Sequence, residues 1–244
     1  MISLRRSKWG IPYLQRWFAR RGRLGDWLGI TAYRQFLGSS PGPWWIRRPF
    51  STSIIDLSRT EEELFSSIHR DDRTKINRAD REGLQWIGTD APAPADRDDF
   101  ISRYRAFAQE KRIAPLSRSQ LESFGNSLFL SKALREDAVL AWHLYLVDRE
   151  EGRARFLYGL SERFVPGADT NLIGRANRWC HWQDMRNFKA QGLGTFDFGG
   201  IAVDTEDPAL VGINQFKLRF GGPVRREDHW VSPLYALAEK LGRL

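Results

Sequence analysis

The segment Leu172 to Gln191 constrains this chain more than any other, because it is apolar around most of a helical circumference. Leu172, Ile173, Ala176, Trp179, Cys180, Trp182, Met185 and Phe188 leave only a narrow polar strip, and Lys189 followed by Gly192 supplies a helix end. Such a helix must be covered on nearly every side. The chain is 244 residues long, 41% hydrophobic and 13% aromatic, so it can supply that cover from one sizeable core.

The cover reads as strands and amphipathic helices. Ala138 to Val147 is short, β-branched and aromatic-rich, and the charged turn Asp148 to Arg153 leads into Ala154 to Ser161 as its hairpin partner. Thr195 to Ile201 is a further strand, ending in Gly199 and Gly200. Ser58 and Thr60, each followed three residues on by glutamate, predict a helix start, and the helix runs to about Glu82. Phe100, Ile101, Tyr104, Phe107 and Ala108 form one apolar stripe after Asp96. Ser117 and Gln120 open a third helix that buries Leu121, Phe124 and Leu128. Ser232 and Pro233 start a terminal helix whose Leu234, Leu237, Ala238 and Leu241 are expected to face the core. This order gives an α+β, or mixed α/β, domain with a largely antiparallel sheet.

Residues 1–48 differ in composition: Arg, Trp and Gly dominate, with Trp9, Trp17, Trp27, Trp44 and Trp45 among basic residues. The expectation is an extension ahead of a domain at 49–244. Tyr13, Leu14, Trp17 and Phe18 predict one helical turn with an aromatic face. That turn either packs on the domain or rests on RNA or an anionic membrane, the contact being expected through residues 1–24. Thirty-eight Lys and Arg against thirty Asp and Glu give +8, which suits anionic partners without choosing among them.

Several chemistries lack their markers. The one cysteine, Cys180, excludes an intrachain disulfide and a Cys-based zinc site, and it implies a reducing cytoplasm. His69, His143, His181 and His229 fall in no ligand spacing, so no metal is expected; His181 and Asp184, three apart, read as a core histidine near a carboxylate. There is no Gly-x-Ser-x-Gly elbow, Walker loop or dinucleotide fingerprint. The longest apolar run, Ala138 to Val147, is too short to cross a bilayer.

What remains lies in the second half: Gly174 to Met185, Phe188-Lys189-Ala190-Gln191-Gly192, Phe196-Asp197-Phe198-Gly199-Gly200-Ile201, and Ile213 to Gly222, containing Phe216-Lys217 and Phe220-Gly221-Gly222. Together they resemble the signature of the Fem family of peptidoglycan-bridge aminoacyltransferases, whose units have the GCN5-related N-acetyltransferase (GNAT) fold. The stretch from Asp56 to Gly83 is similar to that family's early helix. The resemblance covers roughly residues 50–225. It implies acyl transfer to an amine acceptor, a cell-envelope precursor or a specialised metabolite. Aminoacyl-tRNA or acyl-CoA would serve as co-substrate, with no permanently bound cofactor. A cytoplasmic protein, in peripheral contact with the inner membrane face, fits that picture. Two departures stand out. Fem enzymes carry two GNAT-like units where this chain has room for one, and Arg163 to Ala168 does not match the pyrophosphate loop of acetyl-CoA enzymes.

Acyl transfer needs a carbonyl held against a neutral amine, an oxyanion donor and a route for the proton. Paired glycines at a strand end either bulge the sheet or let backbone approach a ligand. Lys217 alone reads as a solvated lysine; the resemblance assigns it, with Phe216, Arg219, Gly199 and Gly200, to donor binding. The candidates for the proton are His143 and Tyr145 on one strand, Tyr158 on its partner, and Asp197, favoured because it points away from the face of Phe196 and Phe198. The competing class is a GNAT-like module without chemistry, which holds RNA or an anionic membrane through residues 1–48.

Overall fold

The computed structural model describes residues 1–243. In chain order the strands are β1 (Ile2–Lys8), β2 (Ile11–Trp17), β3 (Thr31–Phe36), β4 (Ile46–Asp56), β5 (Leu84–Thr89), β6 (Leu128–Arg135), β7 (Ala138–Asp148), β8 (Arg153–Ser161), β9 (Thr195–Gly200) and β10 (Val224–Val231). The helices are α1 (Glu61–Ser67), α2 (Arg70–Asp80), α3 (Pro94–Lys111), α4 (Arg118–Glu122), α5 (Thr170–Ala190), α6 (Pro208–Leu218) and α7 (Pro233–Lys240). All ten strands join one sheet in the order β1-β2-β3-β10-β4-β9-β8-β7-β6-β5, antiparallel except for β2 beside β3 and β8 beside β9.

Helix α5 crosses one face of the sheet with α1 and α2. Trp179, Met185 and Phe188 meet Tyr145, Phe196 and Phe198 in the larger core there. On the other face α3 and α4 pack Phe100, Tyr104 and Leu121 against Trp142, Leu144 and Leu160. Strands β1 and β2 curl over that second face. The Met1 ammonium reaches Asp148 at 2.8 Å in the β7–β8 turn, and the Arg6 guanidinium lies 4.8 Å from the Phe124 ring centre.

Residues 13–17 are therefore strand rather than helix, and Phe18 follows the strand's end. Trp9 and Gly10, both at positive φ, close a two-residue hairpin turn between β1 and β2, and Trp17 and Phe18 join the second core. A bulky apolar pair, Tyr13-Leu14, repeated four residues on as Trp17-Phe18 mimics a helical stripe; pairing with β1 and β3 decides otherwise. The long helix expected from 60 to 82 is two. The Thr60–Glu63 capping box starts α1, the chain then turns extended at Ile68 so that this side chain is buried, and His69 caps α2. Leu128 opens a strand instead of closing a helix. β10, with four consecutive charged residues, runs through the middle of the sheet. In α7 only Tyr235 and Ala238 turn inward, while Leu234, Leu237 and Leu241 are exposed, contrary to expectation.

Candidate functional site

Strands β8 and β9 lie parallel for only three residue pairs, ending at Arg155 opposite Asp197, and then diverge. Parallel strands that separate leave unpaired backbone groups between them, which must be satisfied by something else. Here α6 supplies part of the answer. The Lys217 ammonium donates to the Gly200 carbonyl at 2.6 Å, capping the open end of β9. Gly199 sits at φ +79°, and a Cβ there would stand 3.0 Å from the Phe156 carbonyl across the gap, so a side chain would obstruct the opening.

Above this gap lies a cleft of about 1520 Å³ between α2, the first half of α5 and α6, floored by Phe156, His181, Phe198 and Phe216. Its walls carry Lys75, Arg78, Lys111, Arg163, Arg175, Arg178 and Lys217 against only Asp169 and Asp207. Arg175 and Arg178 are tied to Glu82 and Asp72 at 2.7 and 2.8 Å, whereas Lys111, Arg163 and Lys217 have no carboxylate partner among the described residues. Burial, with a smaller push from Arg155, lowers the Lys217 pKa to about 8. The cleft is thus built for an anion.

The amino end of α5 opens on the same cleft, but two of its amides are taken. The Asp169 carboxylate caps the helix, accepting from the Asn171 and Leu172 amides at 2.9 and 3.0 Å. A negative charge now sits where a helix N-terminus would otherwise receive a phosphate.

Beneath the cleft floor a polar relay crosses the core. Tyr145 donates its hydroxyl proton to Asp184 Oδ2 at 2.6 Å, His143 Nδ1 meets the same oxygen at 2.7 Å, and Trp86 donates to Oδ1 at 2.8 Å. The Tyr145 oxygen lies 3.3 Å from His181 Nδ1. Because the tyrosine gives its proton to the carboxylate, it accepts from His181 Nδ1–H, which leaves the lone pair on Nε2. Of the two imidazoles only His181 lines the cleft. Burial, reinforced by His143, Arg178 and Lys217, pushes its pKa well below the usual value, so the ring is neutral. His143 reaches the cleft wall indirectly, through Asn177 at 3.0 Å. His143, His181 and Asp184 hold ligand-type atoms within 4.8 Å of one another. The two rings, however, stack at 3.8 Å with planes 22° apart, so their lone pairs run side by side instead of converging on one point.

Asp197 does point away from Phe196 and Phe198, and it meets a crowd of donors there. Its carboxylate accepts from the Thr52 hydroxyl, from Gln35 and the Gly199 amide at 2.8 Å, and from Arg153 Nη2 at 2.6 Å, with Arg155 at 3.5 Å. Burial pushes this carboxyl up, but Arg155, Arg153 and the Thr52 hydroxyl more than offset it and hold it at about 2. Glu227 of β10 completes the cluster with Arg153 at 2.9 Å, which accounts for a charged strand in mid-sheet. A carboxylate so engaged has no free lone pair for a substrate proton.

The other candidates separate. Phe216 and Lys217 lie on α6 and line the cleft beside Gly199 and Gly200. Tyr158 lies across the sheet, edge-on to Tyr104 at 5.3 Å. Arg219 turns toward α2, donating to Asp71 at 2.8 Å and meeting His69 at the same distance. Sequence reasoning passed over His181 as a cleft residue. The His181–Asp184 spacing was visible, yet the hydroxyl that sets the tautomer comes from β7.

No family model matches the sequence, and no curated protein does either. Solved structures do resemble the fold. FemX superposes with a TM-score of 0.63 at 13% identity, covering 87% of this chain and 68% of its own. L-PGS from Bacillus licheniformis gives 0.60 at 12%, covering 95% and 83%. The C-terminal DUF2156 domain of a protein named as a lysylphosphatidylglycerol synthetase in Agrobacterium fabrum gives 0.58 at 11%, covering 99% and 87%. The chain therefore has a GNAT-like fold, mixed α+β with a mostly antiparallel sheet flanked by helices.

Proposed function

We propose that this protein is an acyltransferase that moves an aminoacyl group from tRNA to an amine acceptor. The observation that carries the reading is the gap between β8 and β9, opening into a basic cleft with a neutral imidazole on its floor. The likeness to FemX and L-PGS supports the transferase class. Asp169 supports the choice of donor: its carboxylate occupies α5 amides that would cradle a CoA pyrophosphate, while Lys111, Arg163 and Lys217, without a carboxylate partner, keep their charge for a phosphodiester chain.

In this reaction the amine nitrogen attacks the ester carbonyl, a C–N bond forms and the C–O bond to the ribose breaks. His181 Nε2 takes the proton released by the attacking nitrogen and returns it to the departing ribose oxygen. Its depressed pKa prevents it from keeping the proton. Tyr145 and Asp184 position the ring and balance the charge that develops on it. Lys217 meets donor charge at the mouth of the gap. Asp197 holds Arg153 and Arg155 in place and takes no proton, and Tyr158 and Arg219 lie outside the cleft.

The test is the melting temperature of nuclease-treated protein with charged tRNA, uncharged tRNA, CoA and acetyl-CoA. A ligand that binds the native state raises it by mass action. Charged tRNA is expected to stabilise most. Stabilisation by CoA species alone would replace the donor, and no shift with any of the four would favour a module without chemistry.

A further inference from the structure

Three leucines on α7 were expected in the core and are instead in solvent. Leu234, Leu237 and the C-cap residue Leu241 follow i, i+3, i+7 spacing and form one exposed stripe, while Tyr235, with Ala236, packs the helix against Tyr13 of β2 and Ala32 of β3. Nothing else in the described chain covers that stripe. Beside it lies the turn Asp26–Leu28, where Trp27 and Leu28 are also exposed. The two are stapled together, because the Ser232 hydroxyl donates to the Gly29 carbonyl at 2.6 Å and accepts from the Thr31 amide at 3.1 Å. Ahead of the turn, Leu24 is 95% exposed. The neighbouring loop carries Trp44, 77% exposed, and a Cβ on Gly22 would meet the Pro41 carbonyl, so these two loops run in close contact.

The unpaired charges of the rim have one sign, because Glu239, the carboxylate of α7, faces Arg48 at 3.7 Å. Arg21, Arg23, Lys240 and Arg243 are exposed and have no ion-pair partner among the described residues; Asp26, the acidic residue of the turn, is buried against Arg16 at 2.9 Å. Flat apolar faces suit a second protein copy. Leucine and tryptophan on projecting loops, ringed by unpaired cations, suit an interface with an apolar interior and anionic head groups. We infer that Leu24, Trp27, Leu28, Trp44 and the outer stripe of α7 form a docking surface for an anionic lipid membrane. Arg21, Arg23, Lys240 and Arg243 meet the head groups. Of residues 1–24, through which a membrane contact was expected, this surface uses only Arg21, Arg23 and Leu24; the expected helical turn at Tyr13 to Phe18 is not formed, since Ile2–Lys8 and Ile11–Trp17 are strands. It stands apart from the cleft, so it holds or fails independently of the proposed reaction.

The experiment is flotation of the full chain with vesicles of phosphatidylcholine alone and of phosphatidylcholine with an equal part of phosphatidylglycerol. Association is expected with the anionic vesicles and weaker with the neutral ones. It should decline as salt shortens the screening length from about 10 Å at 0.1 M to about 3 Å at 1 M. Leu24→Ser and Leu28→Ser should each lower partitioning roughly tenfold, the scale of one buried leucine. The pair Arg21→Glu and Arg23→Glu should abolish the preference for anionic lipid. Because these side chains are exposed, unchanged melting temperatures would show that the variants remain folded. No association, or equal association with both vesicle types, overturns the inference. So does a concentration-dependent dimer in sedimentation that the same serine variants dissolve, since the stripe would then belong to a second copy.

Discussion

Asp197→Asn separates a structural carboxylate from a catalytic one. The native group is held at about 2 against an ordinary value of 3.8. At about 1.36 kcal/mol per unit, that difference corresponds to about 2.5 kcal/mol of stability at neutral pH. Since the folded pKa is depressed, the contribution is complete above pH 3.8 and disappears as pH falls toward 2. The amide cannot replace it. One side-chain oxygen faces Thr52 and the Gly199 amide, and the other faces Gln35 and Arg153. Either orientation of asparagine points its NH₂ at donors. Glu227 still neutralises Arg153, but Arg155 is left buried with no carboxylate within 4 Å. An uncompensated buried charge costs roughly 3–5 kcal/mol. For a domain of this size that predicts a melting temperature lower by roughly 6–20 °C. Calorimetry or denaturant unfolding reads the loss directly. Arg155→Met in the same chain should recover part of it, because it removes the orphaned cation. The reasoning fails if Asp197→Asn melts within about 2 °C of wild type. It fails equally if acyl transfer collapses while stability is unchanged.

Other consequences can be checked on the same protein. His181→Gln should slow acyl transfer by about a hundredfold or more at unchanged donor affinity. Tyr145→Phe should cut the rate less and also cost roughly 1–3 kcal/mol of stability, because Asp184 loses a buried donor; a normal rate in His181→Gln removes the imidazole from the mechanism. The Lys217 ammonium is present below about pH 8 and lost above it, so affinity for charged tRNA should fall as pH rises through that value. Lys217→Arg should flatten this profile, and a persistent break near pH 8 in that variant would assign it to another group. Gly199→Ala forces an L-residue into φ +79° beside the Phe156 carbonyl; it should cost roughly 1–3 kcal/mol and narrow the gap, measured as reduced stability and weaker charged-tRNA binding together.

Local pattern was enough to locate several elements. The apolar circumference of α5, the Ser117 and Thr60 caps, the β7–β8 hairpin and the glycine-ended strand β9 are all legible in the sequence, because each depends on periodicity or on one turn's chemistry. The grouping of Phe216, Lys217 and Arg219 with Gly199 and Gly200 came from the family resemblance and not from local pattern; α6 brings Phe216 and Lys217 to the cleft, while Arg219 turns toward α2. Strand β10 was not legible, since Arg225, Arg226, Glu227 and Asp228 look like a surface loop until Arg153 and Gln35 arrive from β8 and β3 to meet Glu227. The same long-range pairing turned Asp197 from the favoured proton acceptor into a saturated counter-ion. It also turned His181 from a bland core residue into the imidazole facing the cleft. The sequence by itself determined which segments are strands or helices wherever neighbouring residues suffice, together with the residue types available for chemistry. Tertiary structure alone decided the protonation state of each group and which of them faces the substrate, because both depend on burial and on charges brought from distant strands.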